Sequence, residues 1–348
     1  MKLPGKDDYE VAGEARKSVG RGRYEHRYGV SSIDSLLHAT SEASGTAIPA
    51  LLATLPPTFA PPYARKPPDP ADIYLGDNLG LMSLLLERGA KFQLIYADPP
   101  FNSRKDYSAR RAPTNGEQFS TQVPAYSDTQ EHDSYLDWLE ARFVPMRDLL
   151  APNGTMYVHL DWHYAHYVKV MLDRLFGRER FLNEIIWCYH GPSPITSAFK
   201  RKHDTILVYT RSKDYIFNAD AVRVPYDKST IDTFASSAKA GFGKVPDLER
   251  GKVPEDWWYF PVVARMHNER VGYETQKPLA LLERIIKASS NHNDAVADLF
   301  CGSGTTLVGA ARLARTFTGC DSNPLAVSKS VMRLESMKGR EGEVRVWG

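Results

Sequence analysis

Four consecutive residues, Asp98-Pro99-Pro100-Phe101, combine the functional groups of a binding or catalytic site. They follow the apolar run 92–97, which predicts a buried strand. Neither proline has an N–H for a sheet, so the chain must leave the sheet there, at the edge where open α/β sheets bind ligands. The Asp98 carboxylate and the Pro99 carbonyl can accept both hydrogens of an amino group, and the Phe101 ring can stack on a planar ligand. The segment therefore predicts a site for a flat molecule with an exocyclic NH2, such as a nucleobase. The alternative is a loop whose aspartate only caps the next turn.

A second set of residues has the spacing of a cofactor site. The strand predicted at 295–300 contains Asp298, the turn Gly302-Ser303-Gly304 leads into a helix, and the next strand ends at Asp321. Glycines allow a ligand to approach the backbone, and an acidic residue at the second strand accepts hydrogen bonds from ribose hydroxyls. A dinucleotide site would need a third glycine where this chain has Leu307, and no Walker lysine is present. An adenosine cofactor without phosphates, S-adenosylmethionine, fits better, and a tight turn between packed elements is the alternative.

Composition bounds the class of protein. The chain has 348 residues, 42% hydrophobic and 25% charged, which is ordinary for a globular α/β protein of one or two domains. A net charge of +2 is too small to indicate nucleic-acid binding by itself. Cys188, Cys301 and Cys320 match neither a zinc pattern nor a disulfide framework, so we expect no metal. The polar first residues and the lack of a long apolar run predict a cytoplasmic protein without a signal peptide or membrane span.

Three segments together resemble a known family. They are Asp98–Asn102, Thr275–Pro278 and Asp298–Thr305, and they resemble the catalytic, flanking and cofactor motifs of the amino-group DNA methyltransferases. The catalytic motif precedes the cofactor motif with a variable insertion between them, which resembles the β class. The details resemble the modification subunits of type III restriction-modification systems. The resemblance extends over about residues 71–335.

This resemblance implies S-adenosylmethionine as cofactor, double-stranded DNA as substrate and a role for each matched residue. The residues implied to act on the target base are Asp98, Pro99, Pro100 and Phe101. The residues implied to bind the cofactor are Asp77, Gln276, Lys277, Pro278, Asp298, Phe300, Gly302, Gly304, Thr305 and Asp321. A base must be flipped out of the duplex before its amine can react, and basic or aromatic side chains would stabilise that DNA. The residues predicted to contact DNA are Asn102, Arg104, Lys105, Tyr107, Lys200, Arg201 and Lys202.

The predicted fold is α/β: a Rossmann-like methyltransferase domain with a mixed seven-stranded sheet and the permuted motif order of the β class. An N-terminal arm and proline-rich linker are expected at 1–70, and the catalytic half of the domain at 71–218. Residues 219–270 lose the βα rhythm and predict an inserted target-recognition region outside the sheet, and 271–348 form the cofactor-binding half. The long polar stretch 102–128 has no strong pattern and is interpreted as a loop that is either functional or disordered.

The predicted activity is site-specific methylation of adenine N6 in DNA. An aspartate at position 98 resembles the adenine-N6 enzymes, whereas cytosine-N4 enzymes more often have serine there, so cytosine-N4 methylation is the alternative. RNA methylation and a catalytically silent DNA-binding protein are further rivals. The intact motifs disfavour a silent protein, and Leu307 disfavours a nicotinamide dehydrogenase. A restriction subunit and a second copy of the chain are additional candidate partners, and a membrane is not.

Overall fold

The computed structural model describes residues 71–102, 105–111, 121–128, 131–236, 246–264, 267–337 and 344–348, with the backbone alone at 105–111, 121–128, 235 and 236. The predicted N-terminal arm and linker lie outside these residues. The strands are β1 (Ala71–Leu75), β2 (Phe92–Ala97), β3 (Lys105–Arg111), β4 (Thr121–Asp128), β5 (Leu150–Leu160), β6 (Phe181–Cys188), β7 (His203–Thr210), β8 (Trp257–Tyr259), β9 (Ala295–Asp298), β10 (Thr316–Asp321) and β11 (Arg345–Trp347). The helices are α1 (Asn78–Glu87), α2 (His132–Leu149), α3 (Ala165–Phe176), α4 (Lys228–Ser236), α5 (Leu279–Ser289), α6 (Thr305–Arg312) and α7 (Pro324–Glu335).

Nine of the described strands form one mixed sheet in the order β11-β1-β10-β9-β2-β5-β7-β6-β8. Strand β7 runs antiparallel to both of its neighbours, and the other pairings are parallel. The mixed sheet is as predicted, but the count of seven is wrong for the described chain. The two additional strands are the three-residue edge strands β8 and β11. Because β8 pairs with β6, the prediction that all of 219–270 lies outside the sheet is also wrong.

Helices cover both faces of the sheet. Helices α1, α2 and α3 contribute to one buried apolar cluster, and α5, α6 and α7 contribute to the other. Strand β2 alternates between them, with Ile95 and Ala97 in the first cluster and Leu94 and Tyr96 in the second. This explains why β2 is apolar throughout: a strand covered on both faces has no side that water can reach.

The sheet is doubly wound, and its switch point lies between β9 and β2. From β9 the sheet continues through β10 to β1, and from β2 it continues through β5 in the other direction. Crossover connections diverge at such a point and leave a crevice outside the carboxyl ends of the strands. Residues that follow β2 and β9 therefore lie at the same edge of the sheet, beside this crevice.

Residues 105–128 contain regular structure that the sequence did not predict. Strands β3 and β4 pair antiparallel as a separate two-stranded sheet, with Tyr107 opposite Tyr126 and a register shift between Tyr107 and Ser108. The interpretation of this stretch as a loop is therefore wrong for its two strand segments, because alternation was obscured by the polar residues on both strands.

Candidate active site

Four aspartates lie at the carboxyl ends of four neighbouring strands. Asp77 follows β1, Asp98 follows β2, and Asp298 and Asp321 end β9 and β10. All four line one open pocket at the switch point of the sheet. The further residues that the pocket shares with the sequence prediction are Pro99, Pro100, Phe101, Gln276, Lys277, Phe300, Gly302 and Thr305.

Asp98 is paired with the lysine just before helix α5. The ammonium of Lys277 donates to Asp98 Oδ2, and both side chains are largely buried. The other carboxylate oxygen, Asp98 Oδ1, is buried and has no hydrogen-bond partner among the described residues. The Lys277 Nζ also lies 5.1 Å from the centre of the Phe101 ring. The carboxylate therefore has one oxygen occupied by a cation and one oxygen available to a ligand.

The backbone after β2 is held by an aromatic side chain. The Tyr135 hydroxyl of α2 donates a hydrogen bond to the Pro100 carbonyl. Asn102 has a left-handed backbone, with φ of 51°, and donates from Nδ2 to the Tyr164 hydroxyl at 2.7 Å. Its side chain is buried, so the structure places it in support of the turn, whereas the sequence predicted a DNA contact.

A row of polar side chains lies beneath Phe101, and we call Tyr96, His159, Asp204 and Tyr189 the polar row. The first three are buried, and Tyr189 is half-buried. His159 is fully buried, with its ring centre 5.8 Å from that of Phe101. The Tyr96 hydroxyl is 2.6 Å from His159 Nδ1, and His159 Nε2 is 3.2 Å from Asp204 Oδ2. The Tyr189 hydroxyl donates to Asp204 Oδ1 at 3.0 Å. An imidazole that donates Nε2–H to Asp204 accepts the Tyr96 hydroxyl at Nδ1 when it is neutral, and donates to the Tyr96 oxygen when it is protonated.

The electrostatics of the polar row favour an ionised Asp204. Burial acts to raise the pKa of the Asp204 carboxyl, but hydrogen bonding and charge from His159, followed by the charge of Lys277, outweigh it and hold that pKa below its ordinary value. Burial and the nearby Asp98 raise the pKa of Tyr96 well above its ordinary value. Sequence reasoning missed the polar row. The available signal was a histidine and an aspartate inside otherwise apolar strands.

The glycine turn has the geometry of a ligand cradle. Gly302 and Gly304 have φ of 50° and 74°, which is the left-handed region. A Cβ on Gly304 would lie 2.5 Å from Ser330 Oγ, so no larger residue fits there. Asp321 Oδ2 accepts from the Gly302 N–H at 2.9 Å, and Asp321 Oδ1 accepts from the Asn323 N–H at 2.8 Å. The turn and the carboxylate of β10 are thereby fixed to each other.

The carboxyl of Asp298 lies behind this turn. It accepts hydrogen bonds from Thr306 Oγ1 at 2.5 Å and from the Phe300 N–H at 3.1 Å. Burial is the main reason that the pKa of Asp298 is raised to about 7. Burial likewise raises the pKa of Asp321 to about 6, against the lowering effect of two backbone N–H donors.

One wall of the pocket consists of a stack that sequence reasoning did not identify. Asp77 caps α1 by accepting the Leu79 N–H at 2.7 Å and forms a 2.9 Å ion pair with Arg142. The Arg142 guanidinium lies 3.8 Å from the centre of the Trp138 ring. Trp138 in turn contacts Phe300, with 5.8 Å between ring centres. Trp138 and Arg142 are four residues apart on α2, the spacing that places two side chains on the same helix face.

The remaining predicted cofactor residues differ in their relation to the pocket, and its lining includes Gln276 and Thr305. Gln276 bridges two backbone groups, accepting from Val271 N–H and donating to the Glu269 carbonyl at 2.8 Å. Thr305 begins α6 and accepts from Arg333 at 3.0 Å. Gly304 and Pro278 do not line the pocket, and Pro278 immediately precedes α5.

The predicted DNA-contacting residues fall in two places. Lys105 and Tyr107 lie on β3, where only the backbone is described, and Arg104 lies outside the described residues. Residues 200–202 lie in the loop between β6 and β7. Within that loop the Arg201 guanidinium is 4.0 Å from the centre of the Trp162 ring, and Lys202 Nζ donates to the Pro192 carbonyl at 2.9 Å.

Among the described residues, no cluster of histidine, cysteine, aspartate and glutamate is arranged to hold a metal ion, and the three cysteines are free thiols. No helix in the described ranges is long and apolar enough to cross a lipid bilayer.

Comparison with known proteins agrees with this geometry. The sheet order and the pocket belong to the Rossmann-like S-adenosylmethionine-dependent methyltransferase fold. The solved M1.HpyAVI–SAM complex matches with a TM-score of 0.50 and 21% identity over 76% of this chain and 98% of that one. The cytosine-N4-specific PvuII DNA methyltransferase matches with a TM-score of 0.50 and 16% identity over 78% and 88%.

The family follows from the sequence comparisons. The family model described as DNA methylase, which covers N6 and N4 methyltransferases, matches residues 92–331. The type II methyltransferase M.HpaI of Haemophilus parainfluenzae is 32% identical over 70% of this chain and 68% of that protein. The DNA adenine methyltransferase YhdJ of Escherichia coli (strain K12) is 30% identical over 70% and 76%. The chain belongs to the N6/N4 DNA methylase family and is a DNA methyltransferase. Neither relative is named as a type III modification subunit, the group that the sequence details resemble.

Proposed function

We propose that this enzyme transfers a methyl group from S-adenosylmethionine to N6 of an adenine flipped out of double-stranded DNA. The proposal depends mainly on the environment of the Asp98 carboxylate. Lys277 holds one of its oxygens, and the other is buried in the pocket beside the glycine turn, with no partner in the part of the chain that the structure describes. A buried polar atom without a partner is costly, so a ligand N–H would be stabilised there.

The charges that line the pocket favour a cofactor without phosphates. Both lining cations are already paired with a lining carboxylate: Arg142 with Asp77, and Lys277 with Asp98. The two remaining carboxylates would repel a pyrophosphate and attract a positively charged ligand. When bound, S-adenosylmethionine supplies an electrophilic methyl group on a positively charged sulfur. The residues of this chain thus fit that cofactor better than a dinucleotide.

The assigned cofactor contacts follow from the same geometry. Each oxygen of Asp321 already accepts one backbone N–H and retains a second lone pair for a ribose hydroxyl. The backbone at Gly302 is left-handed, which favours glycine, and because glycine has no side chain the space above the turn is open to a ligand. We assign the adenine to the wall formed by Trp138 and Phe300, beside Asp77. Asp298 would act by holding the turn through Thr306 and by its charge.

The residues on the other side of the pocket would prepare the target amine. The lone pair of an exocyclic amine is delocalised into the base, so the amine is a weak nucleophile. Hydrogen bonds to Asp98 Oδ1 and the Pro99 carbonyl would favour a pyramidal nitrogen with its lone pair free. The cofactor would supply the methyl group to that nitrogen and leave as S-adenosylhomocysteine, and the proton released from the nitrogen would pass to solvent. Holding both reactants in contact replaces a bimolecular encounter with a positioned one.

Phe101 would stack on the flipped base and reduce the cost of taking it out of the duplex. Its ring is oriented by Lys277 on one side and by the buried His159 ring on another. An Arg or Lys contact to phosphate adds affinity without sequence preference, and we assign that role to Lys105 and to residues 200–202.

Adenine is favoured over cytosine by the identity of residue 98. The relative YhdJ is named as an adenine methyltransferase, whereas the PvuII enzyme, which shares the fold, is named as cytosine-N4-specific. Cytosine-N4 methylation is the second candidate, because Asp98 and Pro99 could accept the amino group of either base.

We assign sequence recognition to the inserted region 219–270. Its described part contains α4, a bridge between Val224 and Lys252, and an ion pair between Arg250 and Asp220. Trp258 is buried while the adjacent Trp257 is 62% exposed, so one ring anchors the region and the other remains accessible. Base-edge contacts carry sequence information that phosphate contacts lack, and the part of this region that precedes β8 lies outside the central sheet and is free to supply them.

The experiment is to express the chain alone in a bacterial host that lacks adenine-N6 and cytosine-N4 methylation, and to sequence its modified bases. We expect N6-methyladenine at one recurring sequence. The Asp98→Ala variant, expressed at the same level, is the matched control and should leave the DNA unmodified. N4-methylcytosine would support the second candidate. Unmodified DNA from cells that contain the expressed, folded protein would contradict both candidates.

A further inference from the structure

Phe199 is the most exposed of the large hydrophobic side chains in the described part of the chain. It is 98% exposed, compared with 62% for Trp257 and Met332, which come next. Burial of a phenyl ring is favourable, and nearly all of the Phe199 ring surface lacks that gain. Phe199 therefore contributes no packing to the described fold, and its ring is available to a binding partner.

The loop that carries Phe199 lies at the edge of the sheet that contains the pocket. Strand β6 runs parallel to β5 and β2, so the β6–β7 loop leaves the sheet at the same edge as Asp98. Strand β7 is two positions from β2 in the sheet, which corresponds to about 10 Å. The loop is therefore within reach of DNA whose target base enters the pocket.

The loop is braced so that Phe199 does not need to collapse onto the protein. Arg201 stacks on Trp162, which follows β5, and Trp162 lies 3.8 Å from His163 between ring centres. Lys202 closes the loop through the Pro192 carbonyl, and its own carbonyl accepts from the Tyr189 N–H at 3.0 Å. The base of the loop is thus joined to the polar row through Tyr189.

We propose that Phe199 enters the DNA stack at the place vacated by the flipped target base, while Lys200 contacts a flanking phosphate. The inference rests on the proposed function and adds a residue that stabilises the flipped state. Apolar side chains that insert between base steps are a known solution where DNA is unstacked, and three consecutive cations beside Phe199 suit a polyanion. If the partner were an apolar protein surface, three positive charges next to the ring would have to lose water without gaining an opposite charge.

The test uses the full chain and a duplex that contains its mapped methylation sequence. Four proteins are compared: wild type, Phe199→Ala, Phe199→Trp and the control Phe217→Ala, which removes a 43% exposed ring beyond the far end of β7. Each is assayed on the fully paired duplex and on the same duplex with an abasic site opposite the target base. Fluorescence of 2-aminopurine at the target position reports base flipping directly.

We expect Phe199→Ala to lower kcat/KM on the paired duplex by about tenfold, within the range lost with one aromatic–base stack. On the abasic duplex the loss should shrink to about threefold or less, because an unpaired base costs less to flip. The 2-aminopurine signal should fall in parallel, while Phe199→Trp and Phe217→Ala retain wild-type behaviour. The melting temperature of Phe199→Ala should be unchanged, since its ring is exposed.

Three results would overturn the inference. Equal activity of Phe199→Ala and wild type on the paired duplex would show that the ring does not act on DNA. An equal loss on both duplexes would show that the loop acts in binding and not in flipping. A folded wild-type chain that methylates no duplex would contradict the proposed function itself, and this inference with it.

Discussion

The buried carboxyl of Asp298 allows a quantitative prediction about stability. Its side chain is 2% exposed, and burial raises its pKa to about 7, whereas an aspartate in an unfolded chain titrates near 3.9. Between about pH 4 and pH 7 the folded chain holds a proton at Asp298 that the unfolded chain has released. The free energy of unfolding therefore falls as the pH rises through that window, and above pH 7 the full cost of the buried charge is present.

The size of this cost follows from the raised pKa. A pKa difference of about three units corresponds to about 4 kcal/mol, which is an upper bound. Asparagine keeps the shape of the side chain and one acceptor oxygen, so it resembles the neutral carboxyl that the folded chain holds at low pH. The raised pKa already includes the hydrogen bonds from Thr306 and the Phe300 N–H to the ionised form. Asp298→Asn should therefore stabilise the cofactor-free chain by up to about 4 kcal/mol at pH 8 and by nothing at pH 4.

The assay is urea unfolding of the cofactor-free chain at pH 5, 6, 7 and 8. Wild type and Asp298→Asn should diverge steadily as the pH rises, with the variant more stable at pH 8. The exposed carboxyl of Asp214 provides the control, since Asp214→Asn should follow the wild-type curve. Parallel curves for wild type and Asp298→Asn across the whole range would refute the reasoning, because they would mean that Asp298 carries no buried charge.

Three further variants test the roles assigned to the pocket and to the insertion. Asp98→Ala should abolish methyl transfer while calorimetric affinity for S-adenosylmethionine stays within about threefold, because the assigned cofactor contacts lie elsewhere; normal turnover would exclude the mechanism. Asp321→Ala should weaken that affinity by about 1–3 kcal/mol through lost charged hydrogen bonds, and unchanged affinity would remove the ribose assignment. Replacing 219–256 with the equivalent segment of a relative of different specificity should change the methylated sequence mapped genome-wide, and an active chimera that keeps the original sequence would place recognition elsewhere.

The pocket was predictable from the sequence because its key residues follow strands. Asp98, Asp298 and Asp321 each come at the end of an apolar run, and parallel strands present their carboxyl ends at one edge. The position of a residue along the chain was therefore enough to place it near the others. The ion pair between Asp98 and Lys277 was not predictable, since the two are 179 positions apart and either residue alone has an ordinary surface interpretation.

The errors have a common physical cause. Strand pairing is decided by backbone hydrogen bonds with a partner strand that is often distant in sequence. For this reason neither β8 nor the β3–β4 hairpin has a strong local pattern of apolar and polar residues. The polar row was missed for the related reason that His159 and Asp204 have meaning only as a pair. The wall formed by Trp138 and Arg142 was detectable in principle, since a four-residue spacing places them together on α2.

The polar row also has a consequence for how the chain finds its fold. Both faces of β5 and β7 are buried: Val158 and Leu207 pack in one apolar cluster, and Tyr157 and Ile206 pack in the other. An apolar pattern on both faces cannot distinguish the native alignment of two antiparallel strands from an alignment displaced by two residues. Such a slip keeps every side chain on its own face.

The slip would, however, move Asp204 about 7 Å along the strand from His159. Each of these buried polar groups would then lose one of its two hydrogen-bond partners, whereas every apolar contact could be replaced by a similar one. We infer that the pair of His159 and Asp204 selects the alignment of β5 with β7. The same alignment sets how far the β6–β7 loop projects beyond Phe101, so strand pairing deep in the sheet determines where the surface that faces the substrate begins.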